Sequence, residues 1–558
     1  MVALAALPTG TWRWRQALLA LAWIGGIASV LLYGVRVYVR LRYYGYFAPL
    51  IFDDAFFFTR YAEIFRHSLV FGWNLGEGPV YGNTSQTYQL LVALVYWLLD
   101  GNAVLTLTLC STLGAIAYLV AIPAAYLAAS TRQDPTVRAI GLGLAVLFAA
   151  FDPQLEFLRA TAMESGWAMS LVAFALWATL RLAPQARDRA RIALVAVLIL
   201  LVYATRPDAA LVAVSAPLGL AALTHDRDQR WAGLAAGLLG LALVALFIGA
   251  CWLYYGDPLP LAFAVKNTWL TRLSTVNYEE YIGTNWSYAS VAITLRVPEA
   301  ILFLASLFLL RRMKPALRGA LLGAVLFCVY HYVAVLPIMG AFGRYYAPAM
   351  PIFLVAAVLA VEAIVARSGL VGGLARIDIR GAALLVALAL LLADKVYPTL
   401  RNERELFADA MVQPDERNTA RGSLLYAADN FYFFNNDNSA LRRLGDALIA
   451  NNCVIATTED GVLSTYLGTA RLIDISGLHD RHDAHRGFSA DRLLLVQKPD
   501  ILVMPHPFYT QWNKDLASHP ALARDYDMDP PLGGDRIGVG FRRDSACAQQ
   551  VHAVLYSR

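Results

Sequence analysis

The chain reads as long apolar runs separated by short polar breaks, and that pattern changes once, after Pro398. A bilayer core takes about 20 apolar residues per helix. Eleven runs are candidate spans: 16–37, 102–129, 137–152, 162–182, 189–205, 207–224, 231–255, 289–310, 317–340, 345–366 and 380–397. The first is too long for a signal-peptide core and lacks a small-residue cleavage site, so it reads as a retained span. The run 88–99 (YQLLVALVYWLL) is apolar over only 12 residues, which predicts an interfacial or re-entrant helix. Beyond 399 the apolar runs shorten to strand length at Val454–Thr458, Leu472–Ile475, Ile501–Val503 and Ile537–Val539, and helical patterns such as Ser439–Ala450 alternate with them. That alternation predicts a soluble α/β domain, and its roughly 160 residues are enough to bury a core.

Composition agrees with the pattern. The 558 residues are 58% hydrophobic and 16% charged, with a mean hydropathy of +0.51, where soluble domains carry about 25% charged residues. The net charge of +5 is small for this length, and the basic residues fall in short loops rather than in a stripe, which argues against a nucleic-acid partner. Those loops carry Arg132/Arg138, Arg181/Arg187/Arg189/Arg191, Arg227/Arg230, Arg311/Arg312/Lys314/Arg318 and Arg367/Arg376/Arg380. The positive-inside rule puts them in the cytoplasm with Arg13 and Arg15. They share one side only if 88–99 does not cross; Arg36, Arg40 and Arg42 depart from the rule. The expected topology therefore has the N-terminus inside. Residues 38–101, 256–288 and everything after Pro398 face outward, in a multi-pass protein of the plasma (inner) membrane. The expected domains are 1–398 in the membrane and 399–558 outside it.

Five cysteines are present, none in CxxC spacing, so a zinc site of that type is not expected. Cys110, Cys251 and Cys328 lie in apolar runs and read as packing residues. Cys453 and Cys547 lie in the polar C-terminal region and are the candidate disulfide, a pairing that the sequence leaves open.

With sides assigned, the unusual residues sort onto the outer half. These are Asp53, Asp54 and Arg60; Glu77, Tyr81, Asn83, Thr84 and Ser85; Glu164; Arg206 and Asp208; Lys266 and Asn267; His331; and Arg344, Tyr345 and Tyr346. Each has an ordinary structural reading. An Asp caps a helix such as 55–66, although one acid suffices for that. Glu164 with Arg159 or Arg206 forms a satisfied ion pair. Lys266 snorkels, His331 packs, and the two tyrosines are interfacial aromatics. Their joint placement points further, because ionisable residues at membrane depth are costly and face a cavity or one another. A carboxylate in such a pocket can take a proton from a sugar hydroxyl as general base. Basic residues such as Arg206, Lys266 and Arg344 can hold and stabilise a departing phosphate. That displacement inverts the anomeric centre and requires no cofactor. If a divalent cation binds, Asp53, Asp54 and Glu164 are the set that would hold it.

The pieces DDAFFFTRYAEIF, FGWNLGEGPVYGNTSQTY, AMESGW, TRPDAA, YYGDPLPLAFAVKN and GRYYAP, in that order over 53–348, resemble the GT-C superfamily of polytopic glycosyltransferases. Within it the likeness is to the arabinofuranosyltransferase B family of mycobacterial cell-wall enzymes. The tail motif TTEDGVLSTYLGTARLIDISGLHD (457–480) is similar to the exported C-terminal domain of such enzymes. The resemblance implies a GT-C transmembrane domain and an exported domain that binds carbohydrate or guides the acceptor. It implies a polyprenyl-phosphate-linked donor such as decaprenylphosphoryl arabinose, and a glycan or glycolipid acceptor. It implies Asp53 or Asp54 as base, with Asp53 favoured because related loops carry an Asp-Glu pair with the first acid catalytic; here both are Asp. Lys266 would hold the donor phosphate. Asn83, Thr84 and Ser85 would line the sugar pocket, and Tyr81, Arg60, Glu164, Arg206, His331, Arg344 and Tyr345 would complete the donor site.

Three other readings stand beside this one. They are the same chemistry with another sugar or a protein acceptor such as a pilin, a transporter or flippase for lipid-linked sugars, and a non-catalytic scaffold. Transporters show internal repeats, and none is seen here.

Overall fold

In the computed structural model the described residues are 51–152, 161–182, 188–266, 306–335, 341–367, 432–433, 439–506, 509–529 and 538–556, with isolated positions outside these stretches. The order begins with a short strand β1 (Ile51–Phe52) that runs directly into helix α1 (Asp53–Ser68), followed by α2 (Gln86–Leu98). The apolar bundle comprises α3 (Ala103–Ala129), α4 (Pro135–Ala150), α5 (Ser165–Leu182), α6 (Arg189–Thr205), α7 (Ala210–Leu223) and α8 (Arg227–Tyr255). A short α9 (Leu261–Lys266) precedes the last two bundle helices, α10 (Pro315–Ala334) and α11 (Met350–Arg367).

The helix starts follow from local chemistry. Asn102, Asp134, Asp188 and Asp226 each accept a hydrogen bond from a first-turn N–H, and α4 has proline at its opening. Among the described residues, five helical stretches are long and apolar enough to cross a membrane, by length and composition: Ala103–Ala129, Ser165–Leu182, Arg227–Tyr255, Pro315–Ala334 and Arg344–Arg367. Of the eleven spans expected from the pattern, 16–37, 289–310 and 380–397 lie wholly or largely outside the described residues; each of the other eight falls on a helix. In the most apolar stretch of α8 only 28% is buried. An apolar helix so little covered presents its side chains to an apolar surrounding.

The 88–99 run is helix α2, whose N-cap Ser85 accepts from the Tyr88 N–H. It buries Gln86, Tyr88, Gln89, Val92 and Tyr96 and leaves Leu90, Leu94, Trp97 and Leu98 more than half exposed. That is an apolar outer face on a helix of 13 residues, too short to span.

The C-terminal region holds a five-stranded mixed sheet of order β4-β3-β5-β7-β6, built from β3 (Val454–Thr457), β4 (Arg471–Asp474), β5 (Ile501–Val503), β6 (Tyr526–Asp529) and β7 (Val539–Arg542). Strands β4, β3 and β5 run parallel, with Ile455 opposite both Leu472 and Ile501. Strand β7 returns antiparallel beside β5, and β6 antiparallel beside β7. Helix α12 (Ser439–Ala450) precedes β3, and α13 (Gly461–Tyr466) follows it. Cys453, just before β3, is joined to Cys547 in the last helix (Ala546–Tyr556), 94 residues away. The boundary expected at 398 lies outside the described residues.

Strand pairing and core packing help to fasten this region to residues 51–68. Strand β1 pairs antiparallel with β2 (Tyr432–Phe433). The apolar face of α1, with Phe56, Phe57, Phe58 and Tyr61, packs into one continuous core with Leu444, Ile455, Val462, Leu463 and Leu472. The bundle has its own core, formed mainly by α3, α5, α6, α7, α10 and α11.

Candidate active site

A cavity of about 120 Å³ lies where α1, the 82–84 turn, the α5 start, the α6–α7 turn, α9, α10 and the 344–345 segment meet the C-terminal region. Its wall includes Asp54, Asn83, Thr84, Glu164, Arg206, Asp208, His331, Arg344 and Tyr345, nine of the residues singled out from the sequence. It also includes Ser165, Tyr330 and His479.

The charges on this wall are paired. Arg344 Nη2 donates to Asp54 Oδ2 at 2.8 Å. Arg206 Nε donates to Asp208 Oδ1 at 3.2 Å, while its Nη1 donates to Ser165 Oγ at 3.2 Å and lies 3.8 Å from Glu164 Oε1. His331 Nε2 stands 2.8 Å from Asp208 Oδ2, and its Nδ1 stands 3.0 Å from the Phe327 carbonyl. Both ring nitrogens therefore face oxygen atoms, which fixes the plane of the ring. The Tyr345 ring has the Arg206 guanidinium 5.6 Å from its centre and that of Arg344 at 5.4 Å, a cation–π arrangement that orders both cations. Two buried atoms at this wall, Arg344 Nη1 and Glu164 Oε2, have no hydrogen-bond partner. A buried donor and acceptor left this way cost about 1–3 kcal/mol each, and a polar ligand in the cavity relieves both.

Other residues named from the sequence lie elsewhere. Arg60 is fully buried and spends all five of its N–H donors on Trp73 O, Asn74 Oδ1, Ser464 O, Gly468 O and Ala470 O. It stitches the 73–74 turn to the 464–470 segment and has no donor left for a ligand. Burial lowers its guanidinium to about 10. Tyr81 stacks on Tyr255 with ring centres 4.6 Å apart, and Ser85 is spent as the α2 cap. The Lys266 backbone ends α9, whose Ala262 and Phe263 line the cavity.

The two adjacent aspartates part company. Asp53 does not line the cavity. Its carboxylate accepts from the Gly461 N–H at 2.9 Å and the Val462 N–H at 2.6 Å, the first two amides of α13. Asp460 is the N-cap residue of α13 but makes no capping bond, so Asp53 caps that helix from across the molecule. A Cβ on Gly461 would collide with Asp53, so only glycine admits this approach. Burial pushes Asp53 up to about 7; the Val462 amide opposes this, the Asp54 charge adds to it, and the Gly461 amide opposes it. Glu459 and Asp460, both buried, are pushed well above the carboxylate range by burial and by their acidic neighbours. Asp53, Asp54 and Glu164 thus turn to the α13 amides, Arg344 and Arg206 respectively, and the three-carboxylate cation set expected from the sequence does not assemble.

His479 and Asp208 complete the wall without having been assigned roles from the sequence. His479 stacks on Trp73 with centres 3.8 Å apart and planes 6° apart, and its Nδ1 lies 3.1 Å from the Tyr61 hydroxyl. It is 418 residues from Tyr61, beyond any local pattern. Asp208 did carry a signal, two residues after Arg206 in a proline turn between two apolar runs.

No protein-family model matches the chain, and no curated protein sequence matches it. Solved structures do. ArnT from Cupriavidus metallidurans in the apo state aligns with a TM-score of 0.51 at 15% identity, over 95% of this chain and 99% of its own. The same protein bound to undecaprenyl phosphate aligns at 0.50 and 14%, over 94% and 99%. The Archaeoglobus fulgidus oligosaccharyltransferase in complex with zinc and sulfate aligns at 0.50 and 12%, over 93% of this chain and 72% of that one. Both proteins are GT-C glycosyltransferases. This chain has their fold. At these identities the GT-C likeness shows architecture and leaves donor, sugar and acceptor to the chemistry of the site.

Proposed function

We propose that the chain is an inverting glycosyltransferase. It moves a sugar from a polyprenyl-phosphate carrier to a hydroxyl of a cell-envelope glycan or glycolipid on the outer face of the membrane. The sequence resemblance makes D-arabinofuranose the sugar. The observation that carries the reading is Asp54, a carboxylate on the cavity wall oriented by Arg344 at 2.8 Å, in a chain with the GT-C fold.

Asp54 acts as general base, in place of the Asp53 favoured by the resemblance, whose oxygens are spent on backbone amides. It takes the proton of the acceptor hydroxyl as that oxygen bonds to the anomeric carbon. The bond from that carbon to the phosphate oxygen breaks on the opposite face, and the electron pair leaves with the polyprenyl phosphate. Arg344, through its unpartnered Nη1, and Arg206 hold the departing phosphate, a role that the sequence resemblance extends to Lys266. Asn83 and Thr84 contact the sugar. The exposed apolar face of α2 lies on the lipid surface beside the donor.

The test is sugar transfer by the purified chain from a panel of synthetic polyprenyl-phosphate sugars, arabinofuranose among them, with wild type, Asp54→Asn and Asp53→Asn. Transfer from the arabinofuranose donor, lost in Asp54→Asn and kept in Asp53→Asn, is the expected result. Transfer that survives in Asp54→Asn, or folded protein that uses no donor, overturns it.

A further inference from the structure

The junction between α1 and the C-terminal region collects acids without matching bases. Asp53, Glu459, Asp460 and Asp474 are all buried there, and Arg60, whose guanidinium feels the Asp460 charge, has every donor committed elsewhere. Asp460 is wholly inaccessible, and neither of its carboxylate oxygens accepts a hydrogen bond from another residue. An aspartate at a helix N-cap ordinarily spends its side chain on the helix amides; this one is turned away because Asp53 occupies them. A buried carboxylate without donors is costly enough to need a partner of another kind.

Beside it stand two side chains already held in place. Asp474 accepts from the Ser476 N–H at 2.7 Å, from the Ser476 hydroxyl, and from the His479 N–H at 2.6 Å. The His479 ring is fixed by stacking on Trp73 and by Tyr61 at Nδ1. One ligand atom from each of Asp460, Asp474 and His479 lies within 4.8 Å of the other two, and all three residues are buried. Ligand atoms around one ion in tetrahedral geometry stand about 3.4 Å apart, so side-chain rotation is enough to draw the three together. An imidazole whose second nitrogen is engaged by a hydroxyl, next to a hydrogen-bonded carboxylate, is the outer-shell support that metal ligands need.

We propose that Asp460, Asp474 and His479 bind one divalent cation of borderline hardness, Zn²⁺ or Mn²⁺, at the junction of α1 with the C-terminal region. Two carboxylates and one imidazole suit such ions better than Ca²⁺ or Mg²⁺, which favour all-oxygen sets. The cation offsets the local excess of acid and clamps the 457–479 segment in the shape that receives Asp53. It also fixes His479, which forms part of the cavity wall. The site is separate from the Asp53, Asp54 and Glu164 set, and the inference does not depend on the sugar-transfer reading.

The test uses the full chain, stripped with chelator, loaded separately with Zn²⁺ or Mn²⁺ and freed of excess ion. About one ion per wild-type chain is expected with at least one of the two metals, with a rise in Tm on loading. Asp460→Asn should bind at least tenfold more weakly, and Tyr61→Phe, which loosens the ring, about tenfold more weakly. Equal metal content in wild type and Asp460→Asn, or none in wild type with either ion, overturns the site. Should Asp460→Asn not fold, Co²⁺ titration of stripped wild type decides. Visible bands of nitrogen and oxygen ligation that Zn²⁺ abolishes uphold the proposal; no bands, or bands of thiolate ligation, overturn it.

Discussion

Helix α1 looks two ways from its first turn, and its two sides handle charge differently. On the cavity side every acid has a base: Asp54 with Arg344, Asp208 with Arg206 and His331, Glu164 with Arg206. On the junction side acids gather, and backbone amides hold Asp53 and Asp474 where paired cations would. Balanced pairs keep a cavity ready to exchange a protein partner for a ligand group. Acids held against amides build a rigid joint, since such bonds satisfy buried N–H groups that have no other acceptor.

The widest break in that comparison comes from the two aspartates themselves. Replacing Asp54 by Asn should lower transfer by about 10²–10⁴-fold, the range of a lost general base, with Tm little changed. Asp53→Asn should do the reverse, keeping transfer within about tenfold while lowering Tm, because an amide nitrogen replaces one of the two oxygens that accept from the α13 amides. Next is Arg60→Met, which removes five hydrogen bonds and leaves carbonyls of the 464–470 segment and Trp73 without that donor; it should destabilise the protein by about 3 kcal/mol or more, measured by denaturant or thermal unfolding. Gly461→Ala should also lower Tm, because the added Cβ pushes Asp53 off the α13 amides; a Tm equal to wild type would dissolve the picture of a tight joint. A smaller effect concerns pH. Asp53 is held near 7 in the fold against an ordinary value of 3.8, so the folded state keeps a proton that the unfolded chain has already released. Its contribution is full below the unfolded value and lost as pH rises through about 7. Chelated protein should therefore melt lower at about pH 8 than at about pH 6, and Asp53→Asn should flatten that slope.

Much of the architecture was legible along the chain. Helices α3 to α8 announced themselves as apolar runs between short polar, often basic, loops, and β3, β4 and β5 as short apolar runs of strand length. Strand β6 was not, because YDMD at the sheet edge buries only its first residue and alternates with acids. The pattern also brought Asp54, Arg206, His331 and Arg344 to one cavity, since each interrupts an apolar run where a polar residue needs a reason. It could not split the aspartate pair. Adjacent side chains on a helix point about 100° apart, and which one meets the cavity depends on α13, some four hundred residues away. Arg60 misled for the same cause: its five acceptors lie on a turn and a distant segment that no local spacing reveals.

The cap that Asp53 places on α13 has a consequence for how the molecule is made. The residues bonded there are 408 positions apart in the chain, and synthesis delivers the first of them long before the second. Until the C-terminal region emerges and docks, the turn that carries Asp54 lacks the anchor that Asp53 makes on α13. A nascent or truncated chain carries the proposed base without its bearing, so competence arrives only with the finished polypeptide.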